Sequence, residues 1–280
     1  MDGHDIWLAG ADGCPAGWMV AFARPIGGEV RTRIVPHFAA IAAAPEAPVV
    51  IAVDMPIGLP QRIGPGGRGP ERAVRALLGG RRSSVFPVPS REAIYAPTYR
   101  DACRVALATS DPQRQVQKQL FMIAPRIREI DRALRTDPAL GARVFETHPE
   151  LAFWRLNGGR PLALSKKVKP GLALRRQLLI DAGFAAAAVE APAPKGAGPD
   201  DLLDALACAA MARRIHAGVA KSFPDDPQRD HYGLPMRSGR EDVCGGWVER
   251  RIARRNPSGP RPLVFVTGIR PLSRASTHPT

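Results

Sequence analysis

No stretch of eighteen apolar residues runs free of charge in this 280-residue chain, so a membrane-spanning helix is not expected. Residues 1–8 hold Asp2 and Asp5 and no basic cluster, which argues against a secretory signal. Cysteine is scarce. Cys14, Cys103, Cys208 and Cys244 stand far apart, none in a CxxC pair and none at zinc-ligand spacing from histidines. Disulfide scaffolds and structural zinc are therefore not expected; buried, reduced thiols in a cytoplasmic protein are. Aromatics make up only 6% of the chain, and no ladder of rings for stacking bases is evident. Trp18, Phe86, Tyr95, Tyr99 and Trp154 are candidates for stacking, but each also suits a core. No internal repeat is visible, which excludes solenoids and propellers. Acids are few, 26 against 40 Lys and Arg, and the formal charge of +14 favours a polyanionic partner, nucleic acid first. Residues 236–280 hold nine Arg and three acids, so +6 of that charge belongs to the tail. The remainder is only moderately basic.

What is present reads as an α/β chain. Residues 6–11 are a short apolar run ending at Asp12-Gly13, a strand that leaves its acid at the tip. Residues 17–23 read as a second strand and 30–38 as a third, separated by Pro25, Gly27 and Gly28. Alanine-rich 39–44 predicts a short helix. The β-branched run 49–53 predicts a buried central strand, stopped by Asp54-Met55-Pro56. Residues 58–99 turn rich in Gly, Pro and Arg, with a helix expected over 71–78. Helices follow over 101–108 and 113–134, then a strand over 144–146 ahead of His148-Pro149-Glu150, and helices over 172–182 and 201–216. Beyond Asp230 the pattern loosens. A basic helix over 247–255, a strand over 263–266 and disorder over 273–280 are expected.

The acids are the chemically informative residues. Asp12 and Asp54 each follow a buried strand, and neighbouring strand ends in one sheet can bring two such acids together. Glu146 ends a third strand. Asp201 and Asp204 are three apart on a helix and share a face. Asp204 lies in the apolar stretch Leu202-Leu203-Asp204-Ala205-Leu206-Ala207, where an uncompensated charge costs several kcal/mol. Each acid also has a plain explanation. Asp12-Gly13 suits a turn, Asp54 can cap, Glu146 can pair with an arginine, and Asp200 after Pro199 is assigned the helix N-cap. Only Asp204 is left without such a role.

Several stretches together resemble the domain-of-unknown-function family 429, described as nucleases inferred from a ribonuclease H-like fold of the Holliday-junction resolvase branch. They are Gly10-Ala11-Asp12-Gly13-Cys14 with Gly17-Trp18, Val53-Asp54-Met55-Pro56-Ile57-Gly58-Leu59, Arg82-Ser83-Ser84-Val85-Phe86-Pro87, Phe145-Glu146-Thr147-His148-Pro149-Glu150, Ser165-Lys166-Lys167 and Asp200-Asp201-Leu202-Leu203-Asp204-Ala205. The resemblance implies a ribonuclease H-like domain over 1–236, followed by a basic extension over 237–280. The domain would be a five-stranded mixed sheet with helices on both faces and a helical insertion at about 58–140, between the fourth and fifth strands. It implies Asp12, Asp54, Glu146, Asp201 and Asp204 as ligands of Mg²⁺ or Mn²⁺, since hard carboxylate oxygens suit those ions. Junction-cutting relatives by fold act as dimers, so a homodimer is a candidate assembly.

The expected chemistry is phosphodiester hydrolysis by two ions roughly 4 Å apart, bridged by Asp12. Arg81, Arg82, Ser83, Ser84, Lys166 and Lys167 would hold phosphates, and His148 would relay a proton. Two alternatives stand beside it. An actin- or sugar-kinase-like phosphotransferase would use Gly10-Ala11-Asp12-Gly13 against nucleotide phosphates, but needs a second domain copy that the sequence does not contain. A non-catalytic module on the same fold would use the insertion as a nucleic-acid or protein-binding surface.

Overall fold

The computed structural model describes residues 6–239; the features expected over 247–255, 263–266 and 273–280, with Cys244, lie outside them. Strands β1 (Leu8–Cys14), β2 (Gly17–Ala23), β3 (Val30–Val35), β4 (Val50–Val53) and β5 (Val144–Glu146) form one sheet in the order β3-β2-β1-β4-β5. The first three pair antiparallel as a meander, while β4 and β5 run parallel to β1. The expected mixed five-stranded α/β architecture is therefore present. The third strand stops earlier than its alternation suggests, because Pro36 breaks the ladder and Phe38 already opens a helix.

The helices are α1 (Phe38–Ala42), α2 (Gly69–Leu77), α3 (Arg91–Tyr95), α4 (Tyr99–Ala108), α5 (Lys118–Thr136), α6 (Pro138–Gly141), α7 (Pro149–Leu156), α8 (Lys169–Asp181), α9 (Ala186–Val189) and α10 (Pro199–His216). Helices α2 to α6 form the insertion between β4 and β5. None of the described helices is long and apolar enough to cross a membrane. Cys14, Cys103 and Cys208 are buried and unpaired, as the spacing predicted.

Strand pleating divides the core. Ala9, Ala11, Trp18, Val20, Phe22, Ile51 and Val53 face α1, α3, α4 and α5. Leu8, Val50, Ala52 and Phe145 face the other way, onto Cys208, Ala212 and Ile215 of α10. Trp18 is fully buried in the first of these layers, a core residue and not a stacking platform. Helix α10 lies against β1, β2 and β4 and is buried nearly all round, with alanines at Ala205, Ala207, Ala209, Ala210 and Ala212 that let it approach the sheet closely. Gly10 completes that fit. A β-carbon there would lie 2.0 Å from the Ala209 nitrogen and 2.2 Å from the Ala205 oxygen, both backbone atoms that cannot step aside. Gly10→Ala is expected to lower stability by about 2 kcal/mol through forced separation of helix and sheet, measured by urea denaturation.

Two helix starts matter for the site. His148 caps α7, its Nδ1 accepting from the Glu150 amide at 3.2 Å, with Pro149 in the first turn. No helix is expected here from the sequence. At α10 the N-cap is Gly198 rather than Asp200, and the Asp201 carboxylate reaches back to accept from the Gly198 amide at 2.8 Å.

Candidate active site

Period-two alternation on β1 and β4 sets the geometry. Leu8, Gly10 and Asp12 share a face, as do Val50, Ala52 and Asp54, and that face is the one α10 covers. The β1–β4 ladder ends at Ala11 opposite Val53, so Asp12 and Asp54 emerge together where the pairing stops. Strand β1 itself continues to Cys14 along β2, which buries Asp12 within the strand instead of leaving it at the tip. One turn into α10, Asp204 arrives on the same face, 2% exposed. All three line a cleft of about 420 Å³ at the carboxyl ends of β1, β4 and β5, the place where open α/β sheets bind ligands.

Their electrostatics follow from this crowding. Burial holds the Asp12 carboxyl well above its ordinary value, and repulsion from Asp54, Asp204 and Asp201 adds to the shift. Burial likewise pushes Asp54 up to about 7, with Lys166 opposing and Glu150 adding. Asp204 is pushed up to about 6, again by burial, although Lys166 works against the rise. The thiol of Cys208, one turn on, is raised by burial and by the same three acids.

Lys166 is the counter-charge. Its ammonium contacts the Asp204 carboxylate and lies 3.5 Å from Asp200. Burial works against that charge, but Asp204, Asp12 and Asp200 outweigh it and hold the lysine ionised. Lys167, exposed, pairs with Asp200 at 3.0 Å.

Glu146 stands apart. Because Phe145 faces α10, the pleat turns Glu146 to the opposite face, where it accepts from the Ile57 amide at 2.7 Å and pairs with Arg68 at 2.9 Å. Arg68 is itself buried, bonded also to Glu71 and to the carbonyls of Ile57 and Gly58. Burial raises Glu146 to about 7, with Arg68 opposing and Glu71 adding. Glu146 lines the same cleft but is tied to its own arginine. Asp201, engaged with the Gly198 amide, lies at the cleft's edge.

His148 is half-buried with both ring nitrogens engaged, Nδ1 accepting from Glu150 and Nε2 donating to the Ser84 carbonyl at 3.4 Å. Burial lowers its basicity, so the neutral ring acts here as a strut between α7 and the loop at Ser84. Arg81 pairs with Glu150 at 3.2 Å, and the Ser84 hydroxyl donates to the Arg81 carbonyl. Arg82 and Ser83 are exposed and lie outside the cleft lining.

Sequence reasoning overlooked Glu150, Arg68 and Arg175 as parts of this neighbourhood. Glu150 is buried between Arg81 and a fully buried Arg175, the latter at 2.7 Å. Its signal lay in the first turn of a helix that the motif concealed. Arg175 sits in Leu174-Arg175-Arg176-Gln177, which reads as a solvated face and carries no signal at all.

The fold and the cleft thus define an α/β protein with a buried acid cluster on its first and fourth strands and its last long helix. The chain belongs to the family described as Protein of unknown function (DUF429), whose pattern matches residues 10–229. The match takes in Asp12, Asp54, Glu146, Lys166 and Asp204 and ends before the basic tail. No curated protein and no solved structure matches the chain.

Proposed function

We propose that this protein is a ribonuclease H-like, divalent-metal-dependent hydrolase of nucleic-acid phosphodiesters. The observation that carries the reading is the convergence of Asp12, Asp54 and Asp204, three acids from distant parts of the chain, in one cleft where Lys166 is the cation acting on them all. Strand order β3-β2-β1-β4-β5, with acids on β1, β4 and the last long helix, supports the fold assignment. The formal charge of +14 supports a polyanionic substrate.

The donor set fits Mg²⁺ or Mn²⁺. Once ionised, three carboxylates outnumber the one ammonium, and hard oxygen donors are what those ions take. Among the described residues no three acid, histidine or cysteine groups already grip a single point, so side-chain movement must accompany loading. Asp12, Asp54 and Asp204 would hold the ion, with Asp201 able to join by giving up its cap. Bound there, it supplies the positive charge and the activated water that phosphodiester hydrolysis needs. Helix α10 keeps bulk water from the acids' buried side. Arg81, at the cleft wall, would steer phosphate.

The test is cleavage of single-stranded, duplex and branched DNA and RNA with Mg²⁺ or Mn²⁺. Wild type is expected to cut at least one substrate, and Asp12→Asn to lose that activity. Undiminished cleavage by Asp12→Asn, or none by wild type on any of these substrates, contradicts the proposal.

A further inference from the structure

We infer that Lys166 is a tethered cation that competes with the divalent metal for Asp204, so that loading the site requires its ammonium to leave. The inference rests on the metal-site reading above and adds a residue that sets the site's affinity.

The acids do not stand idle in the structure described. Asp204, 2% exposed and in the middle of an apolar helix, has its charge met by the Lys166 ammonium, which also influences Asp12 and Asp54. An ion held by these carboxylates would lie within a few ångströms of that ammonium, and like charges that close repel each other strongly inside a partly buried cleft.

The loop that carries Lys166 is tied down on both sides. A β-carbon at Gly171 would fall 2.0 Å from the Ser165 oxygen, so helix α8 packs directly on the loop. Arg175 donates to the Leu164 carbonyl at 3.1 Å, the Val168 amide donates to the Ser165 carbonyl at 3.2 Å, and the Lys167 amide donates to the Ser165 hydroxyl at 3.2 Å. The backbone is fastened on both sides of Lys166. The four-carbon stem is the freer part of the residue, and its side chain is 29% exposed. Lys167, next in sequence, points to Asp200 at the surface and serves as an internal control.

The experiment measures Mn²⁺ binding to the full chain by isothermal titration calorimetry. Lys166→Ala is expected to bind Mn²⁺ about tenfold more tightly or better, the scale on which a neighbouring charge shifts the affinity of a carboxylate for a cation. Lys166→Arg keeps the charge and is expected to stay close to wild type, as is Lys167→Ala. A second measurement uses the wild-type protein and so does not depend on a variant folding. Acetylation of Lys166 relative to Lys167, followed by mass spectrometry, is expected to speed up several-fold on adding Mn²⁺. If all four proteins bind Mn²⁺ and bind it equally, or if bound Mn²⁺ leaves Lys166 acetylation unchanged, the inference is overturned while the metal site stands. If neither wild type nor Lys166→Ala binds Mn²⁺ at millimolar concentration, the site reading falls with it.

Discussion

Replacing Arg68 with alanine is expected to lower stability by about 4 kcal/mol at pH 8, the scale for removing one partner of a buried ion pair. Arg68 has a side chain only 1% exposed and bonds four partners: Glu71, Glu146, and the carbonyls of Ile57 and Gly58. These partners come from α2, β5 and the loop after Asp54, so the guanidinium fastens the insertion to the sheet edge. Removing it leaves two buried carboxylates facing each other without a counter-charge. Part of the loss is recoverable by protonation. Glu146 already sits at about 7 with Arg68 present, because burial favours the neutral form. Without Arg68 that preference strengthens, so the deficit of Arg68→Ala is expected to shrink as pH falls from 8 to 5. Guanidinium denaturation at both pH values reads this directly. A deficit of the same size at pH 5 would sink the electrostatic account and leave only lost packing.

The same cluster shows why some of the site could be read from the sequence and some could not. Asp54 was legible because strand endings are legible: a β-branched run followed by Asp-Met-Pro has to stop, and the stop puts the acid at the end of the sheet. Asp12 was read the same way, but its strand runs on to Cys14, and only its pairing with β4 ends beside it. Asp204 was legible because no cap or turn accounts for an acid inside Leu-Leu-Asp-Ala-Leu-Ala. Glu146 looked equivalent to them and is not, since which face a three-residue strand presents depends on its pairing register, here Ile51 opposite Val144 and Val53 opposite Glu146. That register is a tertiary fact with no local signature. Lys166 was visible as a basic residue, but its placement on Asp204 depends on loop and helix packing 38 residues apart in sequence. Fold legibility followed the same division. The meander of the first three strands could be anticipated from hairpin turns and alternation, while the placing of β4 beside β1 has no local signature, and α7 was hidden because His-Pro-Glu reads equally as a turn and as a cap with proline in the first turn.

Asp54→Asn is expected to change stability and activity in opposite directions. The Asp54 carboxyl is pushed up to about 7, against 3.8 for the free group, chiefly by burial. The native state therefore binds its proton more tightly than the unfolded chain does. Between about pH 4 and pH 7 this makes stability fall as pH rises, and above pH 7 the full penalty of holding a charged carboxylate in the cleft remains. Asparagine has nearly the shape of the protonated acid and never ionises. Metal-free Asp54→Asn is expected to match wild type at pH 4 and to exceed it at pH 8. The gain is on the order of 2 kcal/mol, less than the whole shift implies at about 1.4 kcal/mol per unit because the cleft admits water beside Asp54. Activity moves the other way. Losing a charged ligand removes several kcal/mol of transition-state stabilisation, on the order of a thousandfold in rate. Mn²⁺ is expected to raise the melting temperature of wild type and to do little for the variant, because the buried charge that a divalent ion would neutralise has already been removed. A stable variant with undiminished cleavage would separate Asp54 from the chemistry. A variant less stable than wild type at pH 8 would mean that its carboxylate is held by contacts stronger than the cost of burying its charge.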